Sequence, residues 1–359
     1  MTSPERLRDR IGREPWGRPL LRLLSWAYGF GVIARRLLYK ARILRSRKLP
    51  VRVICIGNLS AGGTGKTSAV LLAAETLRRG GAAPAVLSRG YGRPRRTKEV
   101  QVLSGGRTAS WETVGDEPWM MHQTLKELEV PVLVCPDRYR AGLRALRDFS
   151  PRALLLDDGY QHFKLKRDLD VVLINARDPW GGGHLLPLGN LREPLRALRR
   201  AGLVVVTHSD QVPPETLARI RSDLEKIHPG APVAEAVHRP DFLMDLKTQS
   251  RHPLDRIRGK KIASFCAIGD PVSFESDLKS LGARLVQGWR YPDHHAYTLE
   301  ELGSIDRVRL DMPAVTTLKD ASRLPPGWQE TLAGETLALA VRMEIVRGSE
   351  AWESSILTN

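Results

Sequence analysis

Apolar residues fall into two kinds of pattern along this chain. Between Leu20 and Leu44 they recur three and four positions apart, at Leu20, Leu23, Ala27, Phe30, Ala34, Leu37, Ala41 and Leu44. That spacing predicts a helix with a single apolar stripe. Arg22, Arg35, Arg36, Lys40 and Arg42 lie off the stripe, and Trp26, Tyr28 and Tyr39 add rings with a polar edge. From Val51 onward, short runs rich in Val, Ile and Leu alternate with helical patterns. Strands are predicted from Val51 into the loop before Thr67, then at Pro84–Leu87, Val100–Leu103, Val132–Cys135, from Ala153, at Leu169–Asn175 and at Leu203–Thr207. A helix over Ser68–Arg79 stops at Gly80-Gly81. Strands that alternate with helices predict an α/β fold, a mostly parallel sheet with helices on both faces. The polar stretch Pro240 to Lys260 reads as a boundary. Beyond it, strands at Lys261–Ala267, Arg284–Gln287, Ala314–Thr317 and Leu337–Val346, with helices at Val272–Leu281 and from Leu299, predict a second, smaller α/β unit. The expected organisation is an N-terminal amphipathic helix at 1–45, a core domain at 46–245 and a C-terminal α/β domain at 246–359.

The stretch Val51–Thr67, VRVICIGNLSAGGTGKT, brings chemistry to this pattern. A strand, a glycine-rich loop and a helix start occur in that order, as in a phosphate-binding loop and a P-loop NTPase-like core. Glycines at 62, 63 and 65 let successive N–H groups converge on an anion. The helix N-terminus supplies further N–H groups and the positive end of its dipole. Ser60, Ala61, Gly62, Gly63, Thr64, Gly65, Lys66 and Thr67 are therefore the candidate nucleotide-binding residues. Lys66 would neutralise terminal phosphates and Thr67 would hold Mg²⁺. Ser60 stands where that motif's first glycine is expected.

A second strand, Ala153–Leu156, ends in Asp157-Asp158. Carboxylates at a strand end beside such a loop suit Mg²⁺, held by Asp157 or Asp158 directly or through water. Asp116, in Gly115-Asp116-Glu117-Pro118, reads from the sequence as a helix N-cap. Arg89 in the loop Ser88–Arg93, and Arg138 and Arg140 at a helix start, are candidates for an anionic substrate by charge and loop position. Asp293-His294-His295 has no third ligand cluster in the sequence, so it reads as a hydrogen-bonding loop and not as a metal site.

Composition narrows the partners. Lys plus Arg number 56 against 40 Asp plus Glu, a formal charge of +16. Such an excess points to an anionic partner. Aromatics are 6%, with no zinc-finger or aromatic-basic RNA motif, so nucleic acid is not expected. The uncharged stretch between Arg22 and Arg35 holds twelve residues, whereas a bilayer span needs about 20. The N-terminal helix is thus expected to lie in a membrane interface on anionic headgroups, with packing on the protein core as the alternative. Cys55, Cys135 and Cys266 are far apart, which suits a reducing compartment without a disulfide framework. The charged first residues show no secretory leader pattern.

Taken together, Gly57-Asn58 before Gly62–Thr67, Ser88-Arg89-Gly90-Tyr91-Gly92, Gly115–Pro118, Asp157-Asp158-Gly159-Tyr160-Gln161-His162, Leu191-Arg192-Glu193-Pro194, Ile268-Gly269-Asp270-Pro271 and Asp293-His294-His295 resemble the tetraacyldisaccharide 4′-kinase family. They occur in family order over nearly the whole chain. Tyr160 stands where Phe is frequent, and Leu318 stands where an acidic residue is frequent. The resemblance implies a kinase that moves the γ-phosphoryl group of ATP, with Mg²⁺, to the 4′-hydroxyl of a lipid A disaccharide 1-phosphate. It implies Asp116 as proton acceptor, with His294 orienting or tuning it and Lys66 at the phosphates. It also implies a peripheral or monotopic place on the cytoplasmic face of the bacterial inner membrane.

Overall fold

A computed structural model describes residues 8, 10, 11, 14, 16–90, 93, 97, 99–105, 111–293 and 295–358, Trp111 by its backbone alone. In chain order its strands are β1 (Arg52–Asn58), β2 (Pro84–Ser88), β3 (Gln101–Leu103), β4 (Val132–Val134), β5 (Ala153–Asp157), β6 (Leu169–Asn175), β7 (Leu203–Thr207), β8 (Val233–Asp245), β9 (Arg251–His252), β10 (Lys261–Cys266), β11 (Arg284–Arg290), β12 (Ala314–Thr317) and β13 (Thr336–Arg347).

The chain forms two units. The first takes the residues up to Arg89, Leu128–Val237 and Met343 onward; the second takes Gly90–Glu127 and His238–Arg342. This differs from the consecutive division at 1–45, 46–245 and 246–359. The N-terminal helix belongs to the first unit, and so does the C-terminal stretch. Packing explains the latter. Trp352 donates its indole N–H to Thr76 Oγ1 at 3.1 Å, and Arg52 donates to the carbonyls of Ser355 and Ile356 at 2.7 and 2.5 Å. In the second unit Arg251 donates to the Thr124 carbonyl at 3.0 Å, and Met120 packs on the core around Phe265 and Trp328. Such long-range partners leave no periodic trace in a sequence.

In the first unit the strand order is β8–β7–β6–β1–β5–β2–β4, and the pairings within it are parallel. β1 is central and buried from Val53 to Asn58, so its apolar run is continuous, as in a sheet covered on both faces. Ile56 pairs with Asp157 of β5 on one side and with Val171 of β6 on the other. The carboxyl ends of β1 and β5 therefore lie level, where open α/β sheets place their ligands. The helix Lys66–Arg79 covers the sheet with Ala69, Val70, Ala73, Ala74 and Leu77. Burying each larger apolar side chain contributes about 1.5–3 kcal/mol.

The second unit has β11–β10–β12–β13 in parallel, with β9 antiparallel to β8. Ala314 and Ala338 fall in one apolar cluster, while Val315, Leu337 and Leu339 fall in another. The period of two thus puts a core on each face of this sheet. β8 continues to Asp245 through the expected boundary stretch. Polar Arg239-Pro240-Asp241 resembles a linker, yet Phe242, Leu243 and Met244 behind it are buried.

The N-terminal helix runs Gly17–Lys40. Its buried residues are Gly17, Leu21, Ser25 and Gly29, one turn apart. Ser25 donates to the Leu185 carbonyl at 2.9 Å and Tyr28 to the Arg192 carbonyl at 3.1 Å. The small face docks, so Leu23, Trp26, Phe30 and Leu37 stand 57–76% exposed. No described helix is long and apolar enough to cross a membrane.

Candidate active site

The glycine-rich loop is shaped by where its carbonyls go. Asn175 Nδ2 donates to the Gly63 carbonyl at 3.1 Å, and Thr207 Oγ1 donates to the Thr64 carbonyl at 3.2 Å. Within a trans peptide the N–H points opposite its C=O, so the N–H groups of Thr64 and Gly65 face the other way, into the loop. Asn58 Nδ2 holds Thr64 Oγ1 at 2.9 Å. Gly62 and Gly65 adopt φ of +112° and +76°, and a Cβ at Gly62 or Gly63 would meet nothing within 4 Å. This is an open cradle of backbone donors ahead of a helix N-terminus, and it fits an anionic phosphate chain. Ser60 and Ala61 serve the anchoring side instead. Ser60 bridges to Leu191, and the Ala61 N–H donates to the Asn190 carbonyl at 2.7 Å. They brace the loop and offer no backbone donor from Ala61 to a phosphate.

Because the strand ends are level, Lys66 and the acidic pair meet. Lys66 Nζ lies 3.9 Å from Asp158 Oδ1, and Arg192 Nη1 reaches both Asp158 oxygens at 3.0 and 3.2 Å. Burial alone would raise the Asp158 carboxyl; Lys66, Arg192 and Arg138 outweigh it and hold it below the usual carboxylate range. Asp157 is buried and accepts from Ser88 Oγ at 3.0 Å. Thr67 follows Lys66 in the first turn of the helix. Mg²⁺ takes one or two carboxylates together with phosphate oxygens, and Asp157, Asp158 and Thr67 supply donors of that kind. Among the described residues no group of three or more His, Cys, Asp or Glu forms a metal cluster.

Arg138 is 4% exposed, donates Nη1 to the Pro136 carbonyl at 3.0 Å, and keeps a buried Nε–H with no acceptor among the described residues. Burial, with Arg89 beside it, lowers its affinity for its proton, while Asp157 and Asp158 act against that. A buried arginine with a spare donor near two carboxylates fits an anionic oxygen of a substrate. Arg89 is exposed, and Arg140 points outward on the helix Arg138–Phe149. Of the three candidates, Arg138 is the one built into the site. His162, in the same loop as Asp158, is pushed down to about 4 by burial and by Arg138 and Arg167, so it is neutral near pH 7.

The sequence pattern assigned no role to Gln161, Arg192 or Glu193, and each of them joins loops here. Gln161 Nε2 donates to the Asn58 carbonyl at 3.0 Å and to Glu193 Oε1 at 3.2 Å. Arg200 donates to both Glu193 oxygens at 2.7 and 3.0 Å and covers the rings of Tyr160 and Phe163 at 4.3 and 5.1 Å. The only signal for them in the chain is their place in the Asp157–His162 and Leu191–Pro194 motifs.

In the second unit, Gly115, not Asp116, stands at the helix cap with φ of +96°, and Asp116 opens the helix Asp116–Leu125. The N-cap expectation is thus corrected. The Asp116 carboxylate instead accepts Arg323 Nε at 3.1 Å and Arg323 Nη2 on Oδ2, and the Glu117 N–H on Oδ1 at 2.9 Å. His294 lies outside the described residues. Asp293 sits 3.5 Å from Lys319 Nζ. His295 bonds Glu301 at 3.0 Å and stacks on Tyr291, which ties it to the start of the helix Leu299–Arg309.

The chain resembles known proteins over nearly its whole length. Residues 17–359 match the family model described as tetraacyldisaccharide-1-P 4′-kinase. The tetraacyldisaccharide 4′-kinase of Elusimicrobium minutum is 43% identical over 342 residues, 95% of this chain and 91% of that protein. The protein of that name from Syntrophus aciditrophicus is 37% identical over 349 residues, 94% of this chain and 92% of the other. A crystal structure of LpxK from Aquifex aeolicus in complex with ATP superposes with a TM-score of 0.75 at 32% identity, covering 94% of this chain and 98% of that one.

Proposed function

The chain belongs to the tetraacyldisaccharide-1-P 4′-kinase family, an ATP-dependent kinase family of lipid A biosynthesis, and from that premise we propose how its residues move the phosphoryl group. The Gly62–Gly65 backbone and Lys66 hold the β- and γ-phosphates of ATP. Phosphoryl transfer has little covalent work for a protein; positioning and charge neutralisation dominate it. The 4′-hydroxyl oxygen of the tetraacyldisaccharide 1-phosphate forms a bond to the γ-phosphorus, and the bond to the β–γ bridging oxygen breaks, releasing ADP. The hydroxyl proton passes to Asp116, with His294 orienting that carboxylate. Asp157, Asp158 and Thr67 would hold Mg²⁺, which supplies charge neutralisation at the phosphates when bound. Arg138 holds an anionic oxygen of the substrate.

The observation that carries this reading is the meeting of Lys66, at the start of the helix after β1, with Asp158, just past the end of the neighbouring strand β5, 3.9 Å apart. A second proposal follows from the helix Gly17–Lys40. Its docked face is small and its exposed face apolar, with Arg18 and Arg22 beside Leu23 and Trp26. That arrangement suits insertion into an anionic lipid surface, a peripheral or monotopic position at the cytoplasmic face of the inner membrane where a lipid acceptor is reached.

The deciding experiment is Asp116→Asn, assayed with labelled ATP and the disaccharide acceptor. Loss of the base lowers transfer by about 10²–10⁴-fold while ATP affinity is retained. Full transfer by the folded variant overturns the assignment of Asp116.

A further inference from the structure

The turn after β12 has no part in the mechanism above, and Leu318 departs there from the acidic residue frequent in the family. We propose that Thr317–Arg323 is the positioning element of the proton-accepting pair, Arg323 holding the Asp116 carboxylate and Lys319 holding the loop of Asp293 beside His294. The proposal rests on the reading of Asp116 as proton acceptor.

The turn is braced from within. Thr317 Oγ1 donates to Asp320 Oδ2 at 2.7 Å and accepts the Asp320 N–H at 3.1 Å. Asp320, fully buried, accepts the Ala267 N–H at 3.0 Å. Leu318 packs in the apolar cluster with Phe265, Tyr297 and Trp328. At this position an apolar side chain is a plug, which accounts for the missing carboxylate.

Two cations leave this braced turn. Arg323 is 3% exposed; its Nη1 donates to the Ala267 carbonyl at 3.2 Å and lies 3.5 Å from Asp320 Oδ1. Those contacts fix the guanidinium before it reaches Asp116, where Nε and Nη2 both bind Oδ2. The Glu117 N–H holds Oδ1. These three donors set the plane of the carboxylate. Burying a charge pair has a large desolvation cost, so such pairs are weak stability devices; what this one supplies is orientation. Lys319, on the same turn, places Nζ 3.5 Å from Asp293 Oδ1. One short segment therefore holds both sequence elements to which the proton transfer is assigned.

The test uses the full chain with ATP, Mg²⁺ and the disaccharide 1-phosphate in mixed micelles, reading kcat, KM for both substrates and Tm. Lys319→Met, at a partly exposed side chain, lowers kcat by about ten- to a hundredfold, as small misplacements of reacting groups do. KM for ATP and Tm stay near wild type, and Lys319→Arg restores kcat. Arg323→Lys lowers kcat likewise, and in the Asp116→Asn background it causes no further loss, because it acts through that carboxylate. If Lys319→Met and Arg323→Lys keep wild-type kcat while Asp116→Asn abolishes transfer, the positioning role is overturned and the base assignment stands. If Asp116→Asn itself transfers fully, the base assignment falls first. A loss from Arg323→Lys that multiplies with Asp116→Asn shows that Arg323 acts elsewhere and overturns its role. Should Arg323→Lys not fold, Lys319→Met with its arginine rescue decides.

Discussion

Replacing Arg200 by Met removes the cation at the centre of the polar network beneath the first unit's site while keeping most of the apolar stem. Arg200 donates to both oxygens of Glu193 at 2.7 and 3.0 Å, and the Glu193 side chain is 2% exposed. Burial pulls the Arg200 guanidinium down, but Glu193 and Tyr160 outweigh it and raise its affinity for its proton. In Arg200→Met the Glu193 carboxylate keeps only the Gln161 N–H among the bonds described for it here. An uncompensated buried charge of this kind costs about 3–5 kcal/mol. Removing both charges, as Glu193→Met with Arg200→Met, leaves no orphan and loses much less than the sum of the singles, a coupling of about 2–3 kcal/mol. The assay is equilibrium urea unfolding followed by tryptophan fluorescence on the four proteins of this cycle, with equal slopes required for comparison. Gln161 links Glu193 to the carbonyl of Asn58, so kcat falls with stability in the single variants. A cost under about 1 kcal/mol for Arg200→Met with additive effects in the cycle would refute the reasoning, because surface pairs behave that way.

Lys66→Ala keeps the fold and removes most transfer, since its charge is needed at the phosphates; near wild-type turnover in a folded variant contradicts the loop assignment. Leu23→Glu with Phe30→Glu, both at exposed positions, releases the protein from anionic vesicles in a flotation assay without lowering Tm, whereas a core role for the stripe predicts the reverse. The Glu275 carboxyl is held below its usual range chiefly by hydrogen bonds from Arg290. A carboxylate with a lowered folded value contributes stability above its ordinary pKa of about 4.3 and loses it as pH falls through that folded value. Glu275→Gln therefore lowers Tm at pH 7, and its difference from the wild type shrinks as pH falls through the folded value; a difference that does not change with pH speaks against the pair.

What the sequence determined by itself was local. The switch from apolar spacings of three and four to short β-rich runs placed the amphipathic helix and the parallel α/β core, because each period follows from backbone geometry alone. Glycine before Lys66-Thr67 is legible for the same reason: few backbones other than glycine turn so tightly. The acidic pair after β5 was legible only beside that loop, and the tertiary structure supplied the register that levels Asp157 with Ile56 and so brings Asp158 to Lys66. Tertiary structure alone decided that the stripe of Leu23 and Phe30 faces outward, because the docking face is Gly17, Leu21, Ser25 and Gly29, three of them small residues that no hydrophobic pattern marks. It alone separated Arg138 from Arg89 and Arg140, since burial is a property of packing and not of charge. It also decided what Asp116 is. The sequence reads a carboxylate before a helix as a cap, but the residue that meets that carboxylate is Arg323, 207 positions away in the chain, and only folding brings the two within a hydrogen bond of each other.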